Sequence, residues 1–305
     1  MSEPPADPLA HRTIPLYQTQ GQLYEHKTSL VSVQPLCSLP EETRALFKPA
    51  SPASQGKDGE ADAATGQEAE SAPEPHVLTV SETIFHAQGG GQPSDTGTMT
   101  ATTSPESGDE AKETVFTVHQ VRSLPTGAIL HMGLFPSSPF TPPTHLHQAI
   151  NIPLRTLHSR LHTAGHVIGL AVNLLIRRGD LPTTITDSKA SHYPNAAYVT
   201  FTGAIPSSLA PTIQSTVDEI VALDLPVSIF FWDKDRARRE CFGVGEGADL
   251  KGDEMGVRVV DLGGRGSYPC GGTHVGSLGE LGKVVVKGVK RSKGVSRISY
   301  DVAHV

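Results

Sequence analysis

Two short stretches of this 305-residue chain hold side chains whose types and spacing suit metal binding. The first is His162-Thr163-Ala164-Gly165-His166. Two histidines four positions apart on a helix project from one face and can grip one cation. In a chain with 14 histidines the same spacing also arises on an ordinary helix. The second stretch is Pro269-Cys270-Gly271-Gly272-Thr273-His274, a thiol and an imidazole on a glycine-rich turn. Glycine permits backbone conformations that let both face one point, although a buried cysteine also serves as a small hydrophobe. Together His162, His166, Cys270 and His274 supply four ligands of the kinds zinc prefers, which predicts one Zn2+ per chain. A zinc protease needs Glu beside the first histidine as general base. That position is Thr163, so proteolysis fails on chemistry.

The elements that must position these groups follow from periodicity. Arg155 to Arg178 carries Leu157, Leu161, Val167, Ile168, Leu170, Ala171, Leu174 and Leu175 at helical spacing and stops at Gly179. A second helix is expected over Ile213–Leu223. Strands are expected at Val227–Trp232, Val257–Asp261, Lys283–Val289 and Ser296–Val302. The run Asp187-Ser188-Lys189-Ala190-Ser191-His192 reads as a loop leading into strand Ala197–Phe201 and lining the pocket. Upstream, strands Thr28–Val33, His76–Val80, Thr114–Val121 and Ala128–Met132 lie between glycine-rich and proline-rich turns, the pattern of a small β-barrel. Ser51–Pro75 has no large aliphatic residue and Thr100–Lys112 is similar, so both are expected to be disordered insertions. The proline-rich stretch Pro136–Pro143 sets the expected boundary between domains 1–143 and 144–305. The fold class is α+β: a small N-terminal barrel followed by a mixed α/β domain holding the ligands.

Composition narrows the function classes. No apolar run is long enough to cross a bilayer, and the acidic, proline-bearing start resembles neither a secretory signal nor a transit peptide, so the cytoplasm is expected. Cys37, Cys241 and Cys270 form no disulfide framework. Net charge is −7, yet Leu281–Tyr300 holds six basic residues and no acid. Such clustering either attracts phosphate or guards an edge strand. Gly89-Gly90-Gly91 lacks a following Gly-Lys-Ser/Thr and is no P-loop; by itself it is a turn.

Several blocks then point the same way. Arg160-Leu161-His162-Thr163-Ala164-Gly165-His166 and Cys270-Gly271-Gly272-Thr273-His274 resemble the editing domain shared by alanyl-tRNA synthetase and the alanyl-tRNA editing proteins called AlaX, to which a domain of threonyl-tRNA synthetase is related. Gly89-Gly90-Gly91-Gln92-Pro93-Ser94-Asp95-Thr96-Gly97 is similar to the glycine-rich motif of the alanyl type, and Lys293 to Tyr300 is similar to the family's ending. The resemblance runs from Thr83 to Tyr300 and fits the two-domain, middle-sized form. The chain departs from it at the two insertions and at Phe85-His86-Ala87-Gln88, which leaves substrate contacts at that turn open.

What the resemblance implies is hydrolysis of the ester joining an amino acid to tRNA, with zinc either activating a bound water or holding the substrate. The expected substrate is alanine tRNA carrying serine, or more weakly glycine. A hydroxyl-binding site can reject alanine sharply where an apolar pocket cannot reject serine. Substrate contacts are expected from Thr163, Gly90, Gly91, Gln92, Asp95 and Lys189, with helix surface as the plain alternative for Thr163. Expected tRNA contacts are Arg160, Arg265, Lys287, Lys290, Arg291, Lys293 and Arg297. Four protein ligands close a tetrahedral site, so either one ligand is displaced or weakly held, or a fourth residue, His274 or Cys270, acts from behind the metal. Two other readings stand beside this one: a non-catalytic tRNA- or protein-binding domain with structural zinc, and editing of seryl-tRNA for threonine.

Overall fold

The computed structural model describes residues 7, 9–47, 73–103, 112–140, 145–245 and 247–303. They form two compact units: Met1–Ile14, Glu25–Thr83 and Thr96–Ala149 make one, while Pro15–Tyr24, Ile84–Asp95 and Ile150–Val305 make the other.

The first unit is a closed barrel, as its strand and turn pattern implies. Its strands are β1 (Glu25–Pro35), β2 (His76–Val80), β3 (Gly97–Thr103), β4 (Lys112–Ser123), β5 (Ile129–Leu134) and β6 (His145–Ile150), in the order β1-β2-β5-β4-β3-β6. Every second side chain turns to the interior, and Leu78, Met99, Phe116 and Leu146 are fully buried there. Two of these strands were hidden in the sequence. Thr100–Lys112, expected as disordered, contributes Thr100–Thr103 to β3 and Lys112 to β4, and only 104–111 lie outside the described residues. The β-branched threonines favour a strand, but only Met99 and Ala101 are buried, too few apolar residues to betray it. Strand β6 follows the proline-rich stretch 136–143 and buries Gln148 between Leu146 and Ile150, so its alternation is also muted. The barrel therefore runs on to Ala149, and the glycine-rich block is grouped with the second unit. Of the insertion Ser51–Pro75, residues 51–72 lie outside the described residues.

The second unit is built around helix α1 (Ile152–Arg178). The Asn151 side chain caps it by accepting from Leu154 N, Pro153 occupies its first turn, and Gly179 ends it in the left-handed conformation at φ 85°. From Leu161 to Val172 almost every side chain is buried, so this is a core helix rather than a surface one. Helix α2 (Ala210–Ala222) packs against it through Ile213, Val217 and Ile220. A four-stranded antiparallel sheet is made of β7 (Thr186–Ser191), β8 (Tyr198–Thr202), β12 (Val284–Ser292) and β13 (Val295–Val302), in the order β12-β13-β8-β7. A three-stranded sheet comprises β9 (Val227–Trp232), β10 (Val257–Leu262) and β11 (Ser267–Pro269), with the short helix α3 (Lys234–Glu240) following β9. Asp187 to Ser191, expected as a loop, is edge strand β7, with Asp187 opposite Phe201 and Ser191 opposite Tyr198. Its sequence is polar apart from Ala190 and its outer edge unpaired, so hydrophobic alternation could not reveal it.

Candidate metal centre

Helix α1 carries His162 and His166 one turn apart, and their rings stack with centroids 5.1 Å apart. The turn after β11 carries Cys270 and His274. One donor atom from each of the four side chains lies within 4.8 Å of the other three. The Cys270 Sγ is 3.3 Å from His162 Nε2 and 3.3 Å from His274 Nε2. In a tetrahedral zinc site, bond lengths of about 2.0–2.3 Å put neighbouring ligand atoms about 3.5 Å apart, close to these separations.

Hydrogen bonds on the far side of each ring fix which nitrogen has a lone pair to offer. Gln92 Oε1 accepts from Thr273 N at 3.0 Å and lies 2.7 Å from His162 Nδ1. An amide oxygen only accepts, so His162 Nδ1 bears the proton and Nε2 is bare. The Thr163 hydroxyl donates to Ser159 O at 2.9 Å, so at its 3.1 Å contact with His274 Nδ1 the ring must donate. His274 Nε2 is therefore bare as well. His166 Nε2 is buried without any hydrogen-bond partner. Burial and the neighbouring imidazoles hold His162 and His274 well below the usual histidine range, and burial pushes His166 down to about 3. All three rings are neutral at neutral pH. Burial raises the Cys270 thiol, with the Arg258 guanidinium opposing. A single thiol proton cannot satisfy the two bare nitrogens that converge on it, whereas one cation can. The four side chains thus fit a metal ion.

Close approach of backbone and ring makes glycine necessary twice. A Cβ on Gly272 would stand 2.3 Å from His162 Cε1, and one on Gly165 would stand 2.4 Å from His192 Cε1. His192 is a residue that spacing did not single out, beyond placing it in a lining segment. Its ring stacks on His162 at 4.2 Å between centroids. Its Nδ1 lies 2.6 Å from Tyr300 Oη, which donates to Leu161 O at 2.9 Å. That relay puts the proton on His192 Nδ1, and burial pushes its pKa down to about 4. A cavity of about 330 Å³ opens over this cluster, lined among others by Gly90, His166, Asp187, Lys189, His192 and Cys270.

The other expected contacts divide sharply. Gly90 and Lys189 line the cavity. Gly91 abuts β7, its carbonyl accepting from His192 N at 2.8 Å. Gln92 is wholly buried behind His162 and holds the Cys270 turn by donating to Thr273 Oγ1 at 2.8 Å. Thr163 is wholly buried behind His274; one position along the helix from His162 turns it about 100° away from its neighbour. Asp95 accepts from His86 N at 2.6 Å and pairs with Arg155, both charges buried. Arg155 also donates to Gly21 O and Ile84 O, so it ties segments Pro15–Tyr24 and Ile84–Asp95 to α1. Arg160, expected to meet tRNA, is buried and donates to Leu281 O and Ala303 O. Its backbone carries no sign of this, because the acceptors are distant carbonyls. Lys287 pairs with Asp301 at 2.5 Å, and Arg297 lies 3.7 Å over the Tyr198 ring. Lys290, Arg291 and Lys293 are exposed along the β12–β13 hairpin, and Arg265 is exposed in the turn between β10 and β11. No described helix is long and apolar enough to cross a membrane.

Comparison with known proteins agrees with this arrangement. Residues 257–299, which include Cys270 and His274, match the family described as the threonyl and alanyl tRNA synthetase second additional domain. The chain is 30% identical over 227 residues to the alanine–tRNA ligase of a Nocardioides species, covering 72% of this chain and 23% of that protein. The alanine–tRNA ligase of Saccharopolyspora erythraea is 29% identical over 224 residues, with 72% and 23% covered. That of Methanococcus vannielii is 28% identical over 226 residues, with 73% and 23% covered. The chain thus spans about a quarter of the length of these relatives. Motif, match and site together show an AlaX-like editing domain in this chain, similar to that of the alanine–tRNA ligases.

Proposed function

We propose that the protein hydrolyses the ester of mischarged aminoacyl-tRNA, with serine on the alanine tRNA as the substrate, and that its metal is zinc held by His162, His166, Cys270 and His274. The observation that carries this reading is the convergence of two bare imidazole nitrogens, the unpartnered His166 Nε2 and one thiol on the wall of a cavity, in a chain with an AlaX-like editing domain. Zinc bound there supplies a Lewis acid for an ester carbonyl or an attacking water. The chain's own residues do the rest. Gln92 and Thr163 lock the tautomers of His162 and His274, so both rings face the centre without rearrangement. His162, His166 and Cys270 line the cavity while His274 stands behind them, which leaves the cavity side open to substrate. Gly90 lines the same cavity, in the left-handed conformation at φ 56° that favours glycine. About 330 Å³ accommodates an amino acid with the adjoining ribose, in the range of small-molecule sites. The exposed Lys290, Arg291 and Lys293, with Arg265, provide phosphate contacts for the tRNA. The cytoplasm, where such tRNA is made, is its proposed place of action.

The test incubates purified protein, its zinc content measured, with seryl-tRNA and alanyl-tRNA for alanine and seryl-tRNA for threonine. Wild type should release serine from the alanine tRNA selectively, and Cys270→Ala should not. Zinc binding without any release of serine would leave the site as a structural one and end the hydrolytic reading.

A further inference from the structure

The cavity has a second polar end beside the His166 ring, on which Tyr268 packs with centroids 4.5 Å apart. Asp187 lines it from β7, and its Oδ2 accepts from Asn173 Nδ2 at 3.2 Å. Asn173 is itself fixed, donating to Gly169 O at 2.9 Å. Among the described residues no lysine, arginine or histidine forms an ion pair with Asp187. Burial pushes its carboxyl above the usual carboxylate range, with the Asn173 bond opposing. Across from it stands Tyr268, 6% exposed, whose buried hydroxyl lies beside the Asn173 side chain and makes no hydrogen bond of regular geometry. The two oxygens share the space over one glycine: a Cβ on Gly169 would lie 2.8 Å from Tyr268 Oη and 3.2 Å from Asp187 Oδ1. Both residues border the same cavity as His162, His166 and Cys270.

A half-buried carboxylate without a counter-charge, beside a buried hydroxyl, suits a cation that donates several hydrogen bonds. Gly169 lies three residues beyond His166 on α1, a rise of about 4.5 Å. An aminoacyl ester carries such a cation one carbon away from its carbonyl. We propose that Asp187 and Tyr268 form the subsite for the α-ammonium group of the substrate, with the ester carbonyl directed toward His162, His166 and Cys270. This deepens the hydrolytic reading and rests on it for the identity of the ligand. The subsite selects free aminoacyl groups over N-acylated ones, because acylation removes both the charge and two of the donors. Asn173 keeps the carboxylate turned into the cavity, and Gly169 leaves room for the ammonium.

The test uses two stable amide analogues, 3′-(serylamino)-adenosine and its N-acetyl counterpart, with zinc-loaded wild type, Asp187→Asn and Tyr268→Phe. Binding is read by calorimetry, with zinc content and melting temperature as controls. Wild type should bind the free amine about tenfold more tightly or better, the scale of one charge-assisted contact. Asp187→Asn should lose that preference while keeping its zinc and its affinity for the acetylated analogue, and Tyr268→Phe should lose part of it. An Asp187→Asn protein that keeps the preference, or that weakens for both analogues alike, overturns the subsite. The two readings fail separately. Hydrolysis of seryl and N-acetylseryl esters at equal rates removes the subsite and keeps the hydrolase. An Asp187-dependent preference without turnover keeps the subsite and removes the hydrolase.

Discussion

Replacing Gln92 by methionine tests whether the metal centre depends on residues that never touch the metal. The side chain is wholly buried and makes three hydrogen bonds at once: its Oε1 accepts from His162 Nδ1 and Thr273 N, and its Nε2 donates to Thr273 Oγ1. Methionine fills similar volume but accepts neither proton. Two buried donors are then orphaned, at about 1–3 kcal/mol each. The His162 ring also loses the bond that fixes its tautomer and orientation. Loss of such a partner typically weakens metal binding by about 10–100-fold, or about 1.4–2.7 kcal/mol. Gln92→Glu keeps an acceptor for His162 and should lose less. The assay is competitive zinc titration against a chromophoric chelator, with melting of the metal-free protein recorded in parallel. A methionine variant that binds zinc within about threefold of wild type, well inside the range for outer partners, would refute the argument. His162 would then be held by the helix and the close approach of Gly272 alone.

Three further outcomes follow from the same geometry. Arg155→Met should destabilise the second unit by about 3–5 kcal/mol, because it leaves Asp95 buried and unpaired; urea unfolding measures it, and a cost under about 1 kcal/mol, the scale of a surface pair, would contradict it. His131 inside the barrel is held neutral by burial, its pKa pushed down to about 4, against about 6.5 unfolded. The unfolded chain therefore takes up the proton first as pH falls, so this contribution is whole above about 6.5 and lost progressively down to about 4, with roughly 2 kcal/mol gone at pH 5. Denaturant midpoints at pH 7 and pH 5, compared between wild type and His131→Gln, should show a smaller pH difference in the variant. Replacing Lys290, Arg291 and Lys293 with alanine should weaken tRNA binding and flatten its log–log salt dependence by about two to three units, while zinc content stays unchanged; an unaltered slope would move the RNA contact elsewhere.

The convergence of the four side chains was legible because helical geometry turns spacing into direction: His162 and His166, four apart, must share a face. The Cys270–His274 turn was legible for a different reason, since its two glycines announce a backbone bent to an unusual purpose. The same spacing logic reached its limit at the neighbours. Arg160 precedes the histidine pair and Thr163 lies within it, and sequence could only rank them by type as phosphate and substrate contacts. Their partners, His274 and the Leu281 and Ala303 carbonyls, come from segments more than 100 residues away, and only folding brings them there. Edge strand β7 escaped because a strand polar on both faces has no period to detect, and with it went the position of His192 against His162.

One consequence is that the site is an outcome of the whole second unit rather than of its motifs. Gln92 arrives on a segment bracketed by barrel strands, and Arg155 anchors that segment through Asp95 and Ile84 O. His192 arrives from the end of β7 and is held by Tyr300 of β13. Gln92 and His192 both bear on His162 of α1, and Arg155 holds the segment that carries Gln92. Metal binding and folding are therefore linked: a cation that holds the two turns together stabilises every segment that presents a ligand or its partner. The glycine-rich block, a plain turn when read alone, owes its importance to this linkage, because it places Gln92 behind His162 and puts the Gly91 carbonyl against His192 N.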